Sequence, residues 1–199
     1  MESKDERLIR VGSILPQVDY VLAPHTLPTA RLLLRRPQPS DVAAVFEYAS
    51  DPLVVRYMDW PVALQLADTV RANDRALQNW ESGEEYSWRL TLPPSDTPIG
   101  SIGCRIKGDL ADFGFVLNRR QWGHGYATEA AGAVLNWLKS LDVIRRIVAT
   151  CDVENVASAR VLEKLGLLQA TRLAQHAVRP NMPGAPRRDA FLYAWIRAT

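Results

Sequence analysis

The stretch formed by residues 122–130 combines residue types and a spacing that suit the binding of an anion. It reads Trp-Gly-His-Gly-Tyr-Ala-Thr-Glu-Ala, follows a predicted strand and opens the strongest predicted helix. Gly123 and Gly125 allow backbone N–H groups to turn toward one point, and a helix N-terminus adds free donors and a partial positive charge. Phosphate is the usual occupant of such a site. Because short glycine motifs are also common in ordinary turns, a plain connecting turn is the alternative.

Other motifs for phosphate or metal are missing from the chain. No Gly-Lys-Ser/Thr follows the glycines, as a Walker A loop requires, and the dinucleotide fingerprint Gly-x-Gly-x-x-Gly is absent. The cysteines are Cys104 and Cys151, and the histidines His25, His124 and His176 lie far apart. Without a Cys/His cluster, we expect neither a zinc site nor a disulfide scaffold, and we predict no metal.

The composition is that of an ordinary globular domain with balanced charge. The 199 residues are 47% hydrophobic, and 24 basic against 22 acidic side chains give a formal net charge of +2. This balance does not fit a nucleic-acid-binding protein, which would need a strongly basic face. The charged N-terminus and the lack of a long apolar run predict a cytoplasmic protein that contacts no membrane.

The elements that position the glycine stretch follow from hydrophobic periodicity. Apolar runs or period-two alternation predict strands at 31–36, 88–92, 102–106, 113–117, 147–151 and 191–195. Turn residues separate the second, third and fourth of these segments, which indicates an antiparallel meander. The clearest amphipathic helix covers 127–141, and another covers 156–165 and ends at Gly166. Helices and strands mixed in this way indicate an α+β fold around one sheet.

Two helices are also predicted before the meander. A long one covers residues 64–80, and its buried face is expected to carry Leu66, Val70, Leu77 and Trp80. A shorter one begins at Val42. Ser40 and Asp41 are expected to cap its N-terminus.

The glycine stretch resembles motif A of the GNAT superfamily of N-acetyltransferases, Arg/Gln-x-x-Gly-x-Gly/Ala. Gly125 and Ala127 match its last two fixed positions, and Trp122 stands where Arg or Gln usually stands. This tryptophan form is similar to the RimJ/RimL-type branch, which includes the ribosomal-protein acetyltransferases. Three further segments are similar to that branch, in the same order: its opening strand at 29–35, its fourth strand at 114–117 and its N-x-x-S…LEKLG segment at 155–166.

The resemblance implies a single GNAT domain over residues 29–199, preceded by an N-terminal extension over residues 1–28. Helices would flank a mixed, mostly antiparallel central sheet in which the family's strands four and five splay apart. The pantetheine arm of acetyl-CoA would lie in that splay and add to the edge of strand four, here Phe115, Val116 and Leu117.

The resemblance also implies where the rest of the cofactor binds. The pyrophosphate would rest on the glycine loop and the first helical turn, which contain Trp122, Gly123, His124, Gly125, Tyr126, Ala127 and Thr128. Asn155 would hold the cofactor arm beside strand five. Arg119 and Arg120, together with His124, would add positive charge around the phosphates.

For catalysis, the resemblance implies that a neutral primary amine attacks the thioester directly in a ternary complex. Ser158 is the candidate acid that protonates the leaving CoA thiolate, although a serine in a first helical turn can also bond to backbone. Asp112 is the candidate general base. Glu84, Glu85, His176 or an ordered water are the alternatives.

We therefore predict an N-acetyltransferase that uses acetyl-CoA as cosubstrate and acts on a protein N-terminus or a small-molecule amine, as a monomer or homodimer. The alternative is a non-catalytic acyl-CoA-binding or regulatory module on the same fold. Such a module would keep the phosphate loop and lose the proton-transfer groups, so Asn155 and Ser158 favour the enzyme.

Overall fold

The computed structural model describes residues 22–184 and 186–198. In chain order its strands are β1 (Thr26–Pro28), β2 (Leu33–Arg35), β3 (Tyr86–Thr91), β4 (Gly100–Lys107), β5 (Leu110–Leu117), β6 (Arg146–Asp152), β7 (Leu168–Val178) and β8 (Arg187–Ile196). Its α-helices are α1 (Val42–Ala49), α2 (Pro52–Val55), α3 (Leu66–Ser82), α4 (Tyr126–Ser140) and α5 (Val156–Lys164). Short 3-10 turns cover Pro39–Asp41 and Arg119–Gln121.

The described strands form one eight-stranded sheet in the order β1-β2-β3-β4-β5-β6-β8-β7. Neighbouring strands are antiparallel except β5 and β6, which run parallel. Antiparallel strands need only short connections, so β3, β4 and β5 form the predicted meander, whereas the parallel step needs the crossover through α4. The predicted α+β fold with a mixed, mostly antiparallel sheet is confirmed.

β5 and β6 separate after a short parallel pairing. The pairing joins residues 110–112 to residues 146–148, whereas β5 continues to Leu117 and β6 to Asp152. β6 pairs along its whole length with β8 on its other side. The C-terminal halves of β5 and β6 therefore diverge, which confirms the predicted splay.

The main hydrophobic core lies between one face of the sheet and α4. Trp88, Ile102 and Ile147 are almost completely buried there. α4 buries the stripe formed by Ala130, Ala131, Val134, Leu135 and Leu138. The amphipathic pattern thus predicted this helix to within one residue at each end, because one face of the helix packs continuously against apolar neighbours.

The opposite face, which we call the second face, carries α1, α2 and a smaller apolar cluster. Val45, Tyr48 and Val55 are buried in that cluster, and Val116 of β5 packs against it. Alternate residues of a strand point to opposite faces, so Asp112 and Gly114 share the second face with Val116.

The predicted buried face of α3 is wrong at two positions. Leu66 is 48% exposed and Val70 is 40% exposed, whereas Thr69 and Asn73 are each 1% exposed. Asn73 Oδ1 accepts a hydrogen bond of 2.7 Å from Arg89, a buried side chain of β3. The buried face of α3 is therefore the one that carries Thr69 and Asn73, because Asn73 supplies an acceptor to buried Arg89. The spacing of apolar residues does not reveal such a polar contact.

The predicted capping role of Asp41 is also wrong. Its side chain makes no cap hydrogen bond to α1. Instead the buried carboxylate accepts two hydrogen bonds from Arg35, at 2.6 and 3.0 Å, and one from the backbone N–H of Gln38 at 2.8 Å. Asp41 therefore joins the start of α1 to β2 through a buried ion pair.

Two strands lie where periodicity predicted none. β7 is the edge strand beyond β8, and nearly all of its residues are exposed. β1 pairs with β2 and falls inside residues 1–28, the segment predicted to be an extension. The domain boundary at residue 29 stays a prediction. Residues 1–21 of the predicted extension lie outside the described part of the chain.

Candidate functional site

The splayed part of β5 presents an open backbone edge. In an antiparallel pair, alternate residues direct their N–H and C=O groups toward the partner strand. Asn118 N–H donates to the Ile99 carbonyl at 2.8 Å, which continues the β4–β5 register by one residue, so Val116 also directs its backbone to β4. Phe115 and Leu117 consequently direct their N–H and C=O groups into the splay.

Trp122 occupies one of those backbone groups. Its indole Nε1 donates to the Leu117 carbonyl at 2.9 Å, while 47% of the residue stays exposed. Of the predicted edge residues, Phe115 is left with its N–H and C=O available in the splay. Trp122 closes the outer end of the edge, beside the glycine loop.

The glycine loop is built on left-handed backbone at both glycines. Gly123 has φ 80° and Gly125 has φ 82°, a region that favours glycine because it has no Cβ. Gly125 is the N-cap of α4, and the first helical hydrogen bond runs from Glu129 N–H to the Gly125 carbonyl. The N–H groups of residues 126–128 therefore have no intrahelical acceptor, as an anion site requires.

Arg31 holds this loop from the other end of the chain, and sequence reasoning missed that role. Its Nη1 donates to the His124 carbonyl at 3.0 Å, and its Nε donates to Glu129 at 2.7 Å. Its guanidinium carbon lies 4.6 Å from the centre of the Tyr126 ring. No spacing signal could reveal these contacts, because Arg31 and Glu129 are 98 residues apart.

Glu129 would place a negative charge in the first turn of α4, beside the candidate phosphate site. Burial opposes that charge, but hydrogen bonds from Thr29 and Arg31 hold the pKa of Glu129 below its usual value. The Arg31–Glu129 ion pair, at 2.7 Å, compensates the carboxylate locally. The loop can therefore accept an anion without an unpaired carboxylate next to it.

The basic residues predicted around the phosphates have different partners. Arg119 forms an ion pair of 2.8 Å with Asp51, and Arg120 lies 3.9 Å from Glu47. His124 stacks on Tyr126 with ring centres 5.5 Å apart. The structure thus directs Arg119 and Arg120 toward α1 and α2, and only His124 stays in the loop.

Asn155 and Ser158 lie together at the start of α5, beyond the open end of β6. Asn155 Oδ1 caps the helix by accepting from Ser158 N–H at 3.2 Å. Within the described part of the chain, neither the Ser158 hydroxyl nor the Asn155 Nδ2 has a hydrogen-bond partner. Because Asn155 provides the cap, the Ser158 hydroxyl is not needed for it.

A row of charged side chains crosses the second face at the closed end of the splay. Asp112 accepts two hydrogen bonds from Arg105, at 2.7 and 3.0 Å. Burial raises the pKa of Glu85, and the charge of Arg105 opposes that rise. A Cβ at Gly103 would lie 2.9 Å from Glu85 Oε1, so the glycine makes room for the carboxylate.

The other candidate bases lie away from this row. Glu84 is exposed, and His176 is exposed on β7, which lies two strands beyond β6 in the sheet. Gly114 has no atom within 4 Å of its Cβ position, so the second face is open beside Asp112. The structure thus brings Glu85 and Asp112 to one polar groove next to the splay.

A bridge closes the second face over the open end of the splay. It consists of residues 55–62 and residues 179–182, which we call the bridge. Asn181 joins the two segments: its Oδ1 accepts from Val62 N–H at 2.7 Å, and its Nδ2 donates to the carbonyls of Val55 and Trp60 at 2.7 and 2.8 Å. The bridge and the polar groove thus lie on the same face of the sheet.

Within residues 22–184 and 186–198, no three His, Cys, Asp or Glu side chains form a group that could hold a metal ion. No described helix combines the length and apolar character needed to cross a membrane. The prediction that no metal takes part stays a prediction.

Comparisons with known proteins agree with this geometry. Residues 31–168 match the family described as the acetyltransferase (GNAT) domain. The uncharacterised N-acetyltransferase YnaD of Bacillus subtilis is 34% identical over 143 residues, which cover 70% of this chain and 80% of YnaD.

Solved structures share the fold. A GNAT-family acetyltransferase from Bacillus anthracis has a TM-score of 0.74 at 27% identity, covering 86% of this chain and 98% of that chain. RimL, a ribosomal L7/L12 α-N-protein acetyltransferase solved in complex with coenzyme A, has a TM-score of 0.76 at 20% identity, covering 86% and 97%. The RimL likeness concerns the fold alone.

Proposed function

This chain belongs to the GNAT family of acetyltransferases and is an N-acetyltransferase, and we propose that it transfers the acetyl group of acetyl-CoA directly to a primary amine. The observation that carries the proposal is the splay between β5 and β6, which has the open edge of Phe115 on one side and the N-terminus of α4 at its mouth. The open edge of β5 suits an extended arm that contains amides, and the N-terminus of α4 suits phosphate.

The donor would bind along this path. The pyrophosphate would accept hydrogen bonds from the free N–H groups of the glycine loop and the first turn of α4, where the Thr128 hydroxyl also lies. The pantetheine amides would pair with the Phe115 backbone, as an added strand does. Asn155 Nδ2 would hold the arm from the β6 side. The thioester would then lie in the splay, between the edge of β5 and the start of α5.

The chemical step needs a nucleophile, an oxyanion donor and two proton transfers. The neutral amine forms a C–N bond to the thioester carbon, and a backbone N–H of the splayed part of β5 stabilises the oxyanion. The C–S bond then breaks. The amine proton goes to a base and from there to solvent, and Ser158 gives a proton to the leaving thiolate and regains one from solvent.

Glu85 is the better-supported base of the two carboxylates in the polar groove. Asp112 lies closer to the splay, but its carboxylate is engaged by Arg105. The Glu85 carboxylate lies over Gly103 of β4, one strand away from β5, so a water would relay the proton. Burial raises the pKa of Glu85, which makes its carboxylate a stronger base.

The proposed function is tested by free-thiol release from acetyl-CoA with a panel of amines. The panel contains peptides with different N-terminal residues, free amino acids and polyamines. Thiol release that depends on an amine, with acetylated product identified by mass spectrometry, supports the proposal. CoA binding without turnover of any amine would favour a non-catalytic acyl-CoA-binding module instead.

Replacing Glu85 by Gln should remove the decrease of kcat/KM at acidic pH. The base must be deprotonated to act, so kcat/KM of the unmodified protein should fall as the pH drops through the raised pKa of Glu85. The variant should lose about 10²-fold in kcat/KM and show a flatter acid side. Asp112→Asn is the matched comparison, and an acid limb that disappears only in Asp112→Asn would assign the base to Asp112.

Replacing Ser158 by Ala should lower kcat while leaving the KM for acetyl-CoA nearly unchanged. A general acid contributes typically about 10²–10⁴-fold to a rate, so a loss of that order is expected. Since Asn155 provides the cap of α5, the free energy of unfolding should change by no more than about 0.5 kcal/mol. Steady-state kinetics and chemical denaturation measure the two effects.

Ser140→Ala is the control for Ser158→Ala. Ser140 ends α4 and donates to the Trp137 carbonyl, away from the splay. The Ser140→Ala variant should keep full activity. A Ser158→Ala variant with a normal kcat would remove Ser158 from the chemistry.

A further inference from the structure

The side chain of Arg179 is a buried cation that makes no hydrogen bond to any described residue. Only 6% of the residue is exposed, and its Nε is buried without an acceptor. A guanidinium carries several N–H donors in a fixed fork, yet no described residue accepts a hydrogen bond from Arg179's side chain. Since buried donors without acceptors are costly, the arrangement is suited to an additional acceptor of negative charge.

Asp152, the nearest carboxylate, is already used by other donors. It accepts hydrogen bonds from Arg188 at 2.8 and 3.2 Å, and one from the backbone N–H of Glu154 at 3.0 Å. Arg179 Nε stays 3.7 Å from Asp152 Oδ2, which is beyond hydrogen-bonding distance. The carboxylate therefore balances some of the charge of Arg179 but does not satisfy its donors.

Glu154, the next carboxylate along the chain, is also paired. It lies 2.6 Å from Arg188 and 4.0 Å from Arg56. Neither Asp152 nor Glu154 is therefore left to accept hydrogen bonds from Arg179.

Arg179 lies on the side from which an acceptor would reach the thioester. Asp152 shares a sheet face with Val148, and Val148 lies opposite Asp112, so Asp152 points to the second face. Arg179 starts the part of the bridge that Asn181 fastens to residues 55–62. The guanidinium therefore lies between the open end of β6 and the bridge, next to the path of the acceptor.

We propose that Arg179 binds a carboxylate of the acceptor, so that the preferred acceptor is an amine with a carboxylate a few bonds away. This inference rests on the proposed acetyl transfer. A free α-amino acid supplies such a carboxylate itself, and a peptide supplies it when an acidic residue follows the N-terminal one. The guanidinium fork matches a carboxylate in bidentate geometry, which gives selectivity as well as affinity.

Pairs of acceptors that differ by one carboxylate test this inference. Free amino acids are compared with their α-amides, and Ser-Asp-amide is compared with Ser-Asn-amide. We expect kcat/KM to be about 10- to 100-fold higher for the charged member of at least one series. The series that shows the preference identifies the source of the carboxylate.

Variants of Arg179 should abolish that preference. Arg179→Gln should bring the charged-to-neutral ratio of kcat/KM close to one, through loss of rate on the charged acceptor. Arg179→Lys keeps the charge and should retain part of the preference, so it serves as the second variant if Arg179→Gln unfolds. Arg172→Gln removes an equal charge on exposed β7 and should leave the preference intact.

The results separate this inference from the proposed function. If charged and neutral acceptors are acetylated equally, or if the preference survives in Arg179→Gln, the carboxylate inference is wrong and acetyl transfer still stands. If no amine in the panel is acetylated, the proposed function fails and the inference fails with it. Thermal unfolding of every variant shows whether a lost preference reflects a lost fold.

Discussion

Replacing Gly125 by Val should lower the affinity for CoA about 100-fold or more, equivalent to about 2.7 kcal/mol. Gly125 has φ 82° and is the N-cap of α4, and a β-branched residue is strained in that region. A Cβ there would also lie 3.5 Å from Arg31 Nη2, so the added methyl groups would disturb the side chain that holds the loop. Both effects act on the N–H groups that would face phosphate.

Calorimetry with CoA measures the loss, and repeating the titration of the unmodified protein in EDTA tests whether metal contributes. Gly108→Val is the matched control. Gly108 has φ 59° in the turn between β4 and β5, with no atom within 4 Å of its Cβ position. The Gly108→Val variant should lower the free energy of unfolding through the same backbone strain and leave the affinity for CoA unchanged. A folded Gly125→Val variant with normal CoA affinity would exclude the glycine loop from the cofactor site.

Replacing Asp41 by Asn should destabilise the protein by about 3–5 kcal/mol, the range found when one partner of a buried ion pair is removed. Asp41 is 1% exposed, and it faces two guanidinium groups, those of Arg35 and Arg89, that are each 6% exposed. Among the described residues, Arg89 Nε already has no hydrogen-bond partner. Without the carboxylate, two buried cations would lie close together with no compensating charge beside Arg89.

Chemical denaturation measures this loss, and Asp109→Asn provides the comparison. Asp109 pairs with Arg146 at 2.9 Å, but 47% of the Asp109 side chain is exposed. An exposed pair contributes about 0–1 kcal/mol, so this variant should remain close to the unmodified protein. Equal stabilities of the two variants would show that the buried network of Asp41 is not a major source of stability.

Elements with one continuous apolar face were predictable from the sequence. The helix expected at 127–141 is α4 (Tyr126–Ser140), and the strand expected at 102–106 is β4 (Gly100–Lys107). In both, side chains alternate between core and surroundings at the period of the element, so the pattern reports the structure directly. β7 shows the opposite case. No face of this edge strand is continuously buried, so its sequence carries no alternation to detect.

Buried side chains that make polar contacts were not predictable from the spacing of apolar residues. Asn73 and Asp41 are buried because they meet Arg89 and Arg35, residues on other elements. Asn181 and Arg179 stand in a segment rich in Pro and Gly, which the sequence marks only as irregular. Nothing local shows that this segment crosses to residues 55–62.

The sequence by itself determined the family resemblance, the mixed sheet and the glycine loop, because each depends on neighbouring residues or on a short repeat period. It also placed Asn155 and Ser158 at the start of a helix, where the structure has them. The tertiary structure alone decided the partners of the charges. Arg31 reaches Glu129 across 98 residues, and Arg105 engages Asp112, because only folding brings distant side chains within hydrogen-bonding distance. The pairing of charged side chains around the proposed acceptor path is therefore set by the tertiary structure and is not visible in any sequence motif.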